Sequence, residues 1–191
     1  MDTNRLAKEL KEIQADTTSG VTVRVLGDNM AHMQGTILGP EESPYQGGKF
    51  VVDIQLTNAY PFEPPKMRFI TKVWHPNVSS ANGAICLDIL KEQWSPALSI
   101  KTAMLSLQAL LSSPEPSDPQ DAVVARQYLD DIALFNATAK AWTEEHAKDG
   151  AKDEKMEKFK EMGFPEVDIV NALARAAGDE AQALELLLTG L

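Results

Sequence analysis

The sequence predicts an α+β core followed by a small helical domain. An amphipathic helix opens the chain, strand patterns separated by glycine turns follow it, and every later periodic segment is helical. The 191 residues exceed one domain of about 150 residues. We therefore expect a core over residues 1–148, made of an N-terminal helix, a four-stranded antiparallel meander and three helices, then a linker over 149–153 and a three-helix bundle over 154–191.

The composition restricts the classes of partner and site. A net charge of -10 disfavours nucleic acid and anionic membranes, because both would repel the protein. The single cysteine excludes an internal disulfide, and three histidines without paired cysteines do not form a metal-site pattern. No apolar stretch is long enough to span a bilayer, and the charged start is not a signal peptide. We expect a monomeric protein without cofactor or metal, cytoplasmic, with access to the nucleus left open.

The first element is predicted to be a helix over residues 3–16. Its leucines and isoleucine recur at helical spacing, and Thr3 is available as the N-cap. Arg5 and Lys8 lie on a different face of this helix. From the sequence alone, both are interpreted as ordinary solvated charges.

Four strand patterns follow, bounded by turns rich in Gly, Asp, Asn and Pro, at 21–26, 32–38, 49–56 and 66–70. Three prolines in residues 60–65 forbid both helix and ladder pairing before the fourth strand. They hold Phe62 in a stiff loop, where its ring is either a plug of the core or an exposed docking knob.

The remaining elements are predicted to be helices. Residues 100–113 carry almost no charge, which indicates a buried helix with one accessible side. Alternating prolines end it at residues 114–119. Two helices that begin at aspartate caps and three short helices of the tail complete the chain, at 121–129, 131–147, 154–162, 165–176 and 179–189.

Residues 74–96 contain the only cysteine, Cys86. A lone cysteine is usually a small buried hydrophobe. The loop before Cys86 is rich in Asn, Ser and Gly, however, and such a loop keeps a thiol near solvent, where its thiolate can react. His75 lies 11 residues upstream and is the rival candidate for a general base.

Together these motifs resemble the ubiquitin-conjugating enzymes over residues 1 to about 149. The residues that carry the resemblance are the meander, Tyr60-Pro61-Phe62-Glu63-Pro64-Pro65, His75-Pro76-Asn77, Cys86-Leu87-Asp88 and Trp94-Ser95-Pro96. The tail is similar to a ubiquitin-associated domain. A conjugating core followed by such a tail is the layout of the class II members of this family.

The resemblance implies that Cys86 accepts ubiquitin from the activating enzyme as a thioester and passes it to a lysine amine. It assigns to Asn77 the stabilisation of the negative charge that develops on the thioester carbonyl oxygen. It assigns to His75 a structural role in bracing the loop. Asp118 would orient and deprotonate the amine, and Asp88 would be a second acidic residue at the entrance through which the lysine approaches Cys86. Two alternatives stay open: Asn77 only holds its loop, and Asp118 only caps a turn between two prolines.

The resemblance also implies docking surfaces. RING-type ligases and the activating enzyme would share Arg5, Lys8, Phe62, Pro96 and Ala97. Donor ubiquitin would contact Lys101, Leu105 and Gln108. In the tail, an apolar patch would bind ubiquitin, made of Met162, Gly163, Phe164, Leu187 and Leu188. The alternative for the tail is that some of these residues form the core of a very small bundle.

We expect an enzyme that conjugates ubiquitin to protein substrates and, by resemblance, builds chains for proteasomal degradation. A cysteine hydrolase needs a neighbouring base that also activates water, so a polar loop without such a base favours transfer over hydrolysis. The second interpretation is a conjugating core for another ubiquitin-like modifier. The third is a ubiquitin-binding adaptor whose core serves as a scaffold.

Overall fold

The computed structural model describes residues 1–148, 151–176 and 179–190. It confirms the α+β class, and no helix in the part described is long and apolar enough to cross a membrane. A 3-10 turn, Asp88–Leu90, follows the last strand and precedes the helix that begins at Ile100. The other elements are α1 (Thr3–Ala15), β1 (Thr22–Leu26), β2 (Asn29–Leu38), β3 (Lys49–Gln55), β4 (Lys66–Phe69), α2 (Ile100–Ser112), α3 (Ala122–Asp130), α4 (Ile132–His146), α5 (Ala151–Glu161), α6 (Glu166–Arg175) and α7 (Glu180–Thr189).

The four strands form an antiparallel meander in the order β1-β2-β3-β4. Side chains alternate between the two faces of the sheet, and the inner face packs in one apolar cluster with the buried side of α2. β2 begins at Asn29, three residues earlier than expected, because the turn after β1 needs only Gly27 and Asp28. The inner face supplies Val23, Met33, Ile37, Phe50, Val52, Ile54 and Phe69.

Aspartate caps begin several of the helices. Asp121 and Asp131 accept hydrogen bonds from the first turns of α3 and α4, as expected. The prediction for α1 is wrong by one residue: Asp2 is the N-cap and accepts from the amide of Arg5, whereas Thr3 is already helical.

A buried glutamate joins three parts of the core. Glu9 is 6% exposed, although it carries a carboxylate. Its oxygens accept hydrogen bonds from Arg5 Nε at 2.8 Å, from the hydroxyl of Tyr60 at 2.8 and 2.9 Å, and from the amide of Ile100 at 2.9 Å. The carboxylate therefore ties α1 to the proline loop and to the N-terminus of α2, where the helix dipole favours negative charge.

The tail has the three expected helices, but the first is longer. α5 begins at Ala151, so residues 151–153, which we expected in the linker, are helical. Residues 149–150 lie outside the described part. The bundle core contains Met156, Phe159, Val170 and Leu173, together with Ile169 and a group of alanines.

The tail packs on the outer face of the sheet, which the sequence left open. Leu26, Val51 and Ile70 of the core belong to the same apolar cluster as the centre of the bundle. Three polar contacts lie around this cluster: Arg24 with Glu166 at 2.6 Å, Gln55 with Asn171 at 3.4 Å, and Lys72 with Asp179 at 3.6 Å. Because exposed ion pairs contribute little, we assign most of the docking free energy to the apolar cluster.

The role of Glu9 can be tested by substitution. We expect Glu9→Ala to lower the free energy of unfolding by about 2–4 kcal/mol, because the Tyr60 hydroxyl and the Ile100 amide lose their acceptor in a buried site. Glu9→Gln keeps one acceptor oxygen and should cost less. The measurement is guanidinium unfolding followed by tryptophan fluorescence. Glu12→Ala, on the exposed side of α1, is the control and should change stability by less than about 0.5 kcal/mol; equal losses in the two alanine variants would contradict this role.

Candidate active site

Cys86 is held at the protein surface by a short antiparallel bridge. Val78 pairs with Ile85, and the amide of Cys86 then donates to the carbonyl of Asn77 at 2.9 Å. The 3-10 turn Asp88–Leu90 begins two residues later and ends the extended segment. The thiol is half-buried, neither a core residue nor fully solvated.

Two charged side chains contact the thiol. The sulfur lies 3.4 Å from Oδ2 of Asp118, to which the thiol donates, and 3.4 Å from Nζ of Lys91, which donates to the sulfur. Burial raises the pKa of Cys86, and the hydrogen bond to Asp118 raises it further, whereas Lys91 opposes both effects. Burial and Asp118 thus favour the protonated form of the thiol.

The sequence did not predict that Lys91 would contact the thiol. The 3-10 turn brings residue 91 back toward residue 86, and a basic side chain five residues after the cysteine was the available signal. Asp88 itself is exposed, and its carboxylate accepts from the amide of Ile89 at 2.7 Å. Among the hydrogen bonds of the described residues, none joins Asp88 to the thiol.

His75 is buried, and its ring is held by hydrogen bonds to the backbone. It is fully buried, its Nε2 donates to the carbonyl of Leu110 at 2.9 Å, and its Nδ1 accepts from the amide of Asn77 at 3.0 Å. Burial lowers the pKa of His75 to about 4. Both ring nitrogens are thus occupied by the backbone, which agrees with the expected bracing role and leaves His75 unable to act as a base toward Cys86.

The side-chain amide of Asn77 is also fully used. Nδ2 donates to the carbonyls of Glu115 at 2.9 Å and of Asp118 at 3.0 Å, and Oδ1 accepts from the amide of Glu115 at 2.8 Å. Neither N–H is left for an oxyanion. Of the two alternatives, the geometry therefore favours the one in which Asn77 holds its loop.

A second set of contacts joins the same two loops. The carbonyl of Pro76 accepts from the amides of Gln120 and Asp121 at 2.9 and 3.0 Å. Oδ2 of Asp121 accepts from the amide and hydroxyl of Ser80, at 3.1 and 2.6 Å. Burial alone would raise the pKa of Asp121, but these hydrogen bonds and those to α3 outweigh it and lower the pKa. The sequence identified Asp121 as a cap but gave no signal for Ser80.

Asp118 is exposed on the turn that Asn77 and Asp121 hold. Its amide donates to the carbonyl of Glu115 at 3.1 Å, which closes the turn between the two prolines. The structure thus brings together Asp118 and Cys86, which are 32 residues apart in sequence. Asp118 does close a turn, as the alternative proposed, but its carboxylate is also next to the thiol.

The predicted ligase surface is partly exposed. The ring of Phe62 is 79% exposed, so it is a knob and not a plug of the core. Pro96, Ala97 and Lys8 are exposed as well. Arg5 is different: its guanidinium donates to Glu9 and to the carbonyl of Leu98 at 2.6 Å, so it holds α1 against the loop that carries Pro96 and Ala97.

The three residues predicted to meet donor ubiquitin share the accessible side of α2. Lys101 forms an ion pair with Asp16 at 2.6 Å, and Gln108 donates to the carbonyl of Leu38 at 3.0 Å. Leu105 is 36% exposed between them. This side of the helix therefore exposes Leu105 between Lys101 and Gln108, and both of these polar side chains already contact other residues of the protein.

The predicted patch of the tail remains accessible although the tail is docked. Met162 is 51% exposed and Leu188 is 70% exposed, whereas Phe164 and Leu187 are half-buried. Gly163, with φ of 90°, allows the tight turn that follows α5. Phe164 and Leu187 therefore also contribute to packing of the bundle, as the alternative anticipated for some members.

Comparisons with known proteins agree with this geometry. A family model described as ubiquitin-conjugating enzyme matches residues 5–143. Ubiquitin-conjugating enzyme E2 27 of Arabidopsis thaliana is 53% identical over 188 residues, covering 98% of each chain. Ubiquitin-conjugating enzyme E2 K of Homo sapiens is 44% identical over 194 residues, covering 97% of this chain and 96% of its own.

A solved structure supports the same fold. The E2 domain of a Toxoplasma gondii ubiquitin conjugating enzyme superposes with a TM-score of 0.74 at 52% identity, over 78% of this chain and 100% of that domain. Members of this family work with ubiquitin, an activating enzyme and a ligase. The family match over most of the chain, the whole-length similarity to two relatives and the shared fold show that the chain belongs to the ubiquitin-conjugating enzymes.

Proposed function

We propose that Cys86 is the residue that carries ubiquitin as a thioester and passes it to a lysine amine of a substrate presented by a ligase. The observation that supports this most directly is the surroundings of the thiol: its sulfur lies 3.4 Å from the Asp118 carboxylate, while both nitrogens of His75 are bound to the backbone. A stored thioester must resist water, and a site without a free imidazole beside the sulfur favours that.

The attacking amine poses the larger energetic problem. A free lysine has a pKa near 10.4, so about one molecule in 2,500 is neutral at pH 7, a cost of about 4.6 kcal/mol. A carboxylate alone would raise the pKa of the amine further. We infer that the stiff proline loop desolvates the amine, which lowers its pKa, while Asp118 orients it and accepts its proton.

The transfer step can be written around these atoms. The amine nitrogen attacks the thioester carbonyl, the C–N bond forms, and negative charge develops on the carbonyl oxygen. The C–S bond then breaks, the electron pair leaves with the sulfur of Cys86, and the proton of the amine passes to Asp118. Lys91, 3.4 Å from the sulfur, stabilises the thiolate that leaves.

Asn77 is proposed as a positioning residue in this step. Its three hydrogen bonds fix the turn on which Asp118 lies, so its removal would displace the carboxylate from the thiol. An oxyanion role would require Nδ2 to release the carbonyl of Glu115 or of Asp118 after charging. Asp88 is exposed at the edge of the site, and it remains the candidate for a second acidic residue at the entrance through which the lysine approaches.

The docking surface for RING-type ligases and the activating enzyme is proposed to centre on Phe62. Pro96, Ala97 and Lys8 share its exposure, while Arg5 acts by holding the loop in place. Because both partners would use one surface, the enzyme would discharge before it reloads. Donor ubiquitin would fold back onto α2 around Leu105.

The tail is proposed to retain a growing ubiquitin chain through its exposed patch. Single small domains bind weakly, so their benefit comes from raising the local concentration of the bound partner. The chains would then serve proteasomal targeting.

Thioester formation tests the central proposal. With activating enzyme, ATP and ubiquitin, we expect a band one ubiquitin heavier on a non-reducing gel, which a reductant removes. Cys86→Ser should give a reductant-resistant ester, because an oxygen replaces the sulfur, and Cys86→Ala should give no band. A band that is unchanged in Cys86→Ala would refute the assignment of Cys86.

The contacts of the thiol with Asp118 and Lys91 can be tested by pH, because the two side chains shift the pKa of Cys86 in opposite directions. The thiolate is the form that reacts with iodoacetamide, so the alkylation rate rises as pH approaches the pKa of Cys86. Asp118→Asn removes the carboxylate that raises this pKa beyond the effect of burial, and it should move the curve to lower pH. Lys91→Met removes the group that lowers it and should move the curve to higher pH. Asp130→Asn, exposed on α3, is the control; shifts of the same sign in both test variants would contradict the geometry.

The tail patch can be tested without disturbing the bundle. We expect Leu188→Asp to weaken ubiquitin binding at least 10-fold in an NMR titration and to shorten chains, while charging of Cys86 is preserved. The new charge is solvated, because Leu188 is 70% exposed, so thermal stability should not change. Leu129→Asp, at a site 66% exposed on α3, is the matched control. Full ubiquitin binding by Leu188→Asp would show that the patch lies elsewhere.

A further inference from the structure

A cavity of about 490 Å³ lies between the outer face of the sheet and the docked tail. The core contributes side chains of β3 and β4 to its walls, and the tail contributes side chains of α6. Neither part alone forms it. The lining residues with polar side chains are Asp53, Gln55, Lys66, Arg68, Asn171 and Arg175.

Three of these side chains are cations, in a protein of net charge -10. Lys66 and Arg68 lie on the outer face of β4, and Arg175 is the last residue of α6. Within residues 1–148, 151–176 and 179–190, no ion pair engages any of the three. Such a concentration of positive charge is costly by mutual repulsion unless a counter-ion is present.

The one acid among the lining residues, Asp53, offsets only part of this positive charge. Asp53 lies opposite Arg68 in the β3–β4 register, but its two oxygens have other partners. Oδ1 pairs with Nε2 of His32 at 2.6 Å, and Oδ2 accepts from Nε2 of Gln55 at 2.9 Å. Three cations against one such carboxylate leave the cavity positive.

We propose that this cavity binds a small polyanion carrying phosphate groups. The guanidinium groups of Arg68 and Arg175 offer forked donors that match the geometry of phosphate oxygens, and Lys66 adds a point charge. The volume lies in the range of small-molecule sites, about 300–1,000 Å³. Because the whole protein is acidic, a singly charged anion would gain little, and several charges on one ligand are needed.

The ligand would bridge the core and the tail. Arg68 lies on β4 and Arg175 on α6, so a phosphate group held by both links the sheet to the bundle. A ligand that binds only the docked arrangement shifts the equilibrium toward it. The concentration of the polyanion would then control how firmly the tail is docked.

Calorimetric titration of the full chain at fixed ionic strength tests the site, with sodium tripolyphosphate and ATP as probes. We expect saturable one-site binding, weakened at least 10-fold by Arg68→Gln and, separately, by Arg175→Gln. Arg126→Gln on α3 is the matched control, since that arginine is exposed and remote in sequence from the cavity, and it should bind like the unchanged protein. Tighter binding of ATP would indicate a nucleotide, and equal binding the phosphates alone; both outcomes support the site.

Hydrogen exchange supplies a readout that simple charge screening would not change. Tripolyphosphate should slow amide exchange in α6 of the unchanged protein at least several-fold, and should not do so in Arg68→Gln, a substitution made in the core. Binding that never saturates, or that Arg126→Gln weakens as much as Arg68→Gln does, would overturn the proposal. So would binding without any added protection of α6.

Discussion

Three hydrogen bonds of the Asn77 side chain fix the turn that brings Asp118 next to Cys86 in the candidate active site. The 115–118 turn is flanked by prolines, which cannot donate backbone hydrogen bonds, so its polar groups need partners from elsewhere. Asn77 supplies them, and its own amide is fixed by His75, which is in turn bound to Leu110 of α2. The position of Asp118 beside the thiol thus depends on the buried helix α2. Leu110 of α2 holds the imidazole of His75, His75 holds the backbone amide of Asn77, and the side chain of Asn77 holds the turn that carries Asp118.

The proposed docking surface around Phe62 depends on a similar arrangement. Glu9 fixes the hydroxyl of Tyr60, and Trp94 Nε1 donates to the carbonyl of Pro61 at 2.8 Å, so the loop that exposes Phe62 is anchored on both sides. In each case a buried, fully paired polar side chain supports a loop, and that loop carries an exposed side chain, Asp118 or Phe62. Buried polar groups with all partners satisfied fix loops more strictly than apolar contacts, because a shifted loop would leave them unpaired.

The sequence predicted the elements well and their long-range partners poorly. Strand patterns bounded by turn residues predicted the four strands, and aspartate caps predicted the starts of α3 and α4, since both signals are local. Glu9 lies on the apolar side of α1, where one charged residue is easily dismissed, and its partners are 51 and 91 residues away. The outer face of the sheet carries Arg24 and Gln55 and suggests a solvated surface, yet the tail covers part of it. Periodicity indicates which side chains are buried, but not what buries them.

Docking of the tail changes the argument for chain growth. A tail on a free tether samples many positions, and its effective concentration near Cys86 falls smoothly with tether length. A docked tail holds Met162 and Leu188 in one place. On the proposed function, a ubiquitin bound there would reach a thioester on Cys86 from a single direction, and only the lysines that face Cys86 from that position could attack. Docking would then favour particular chain geometries, whereas a tethered tail would only speed chain growth, and whatever stabilises docking would also select among linkages.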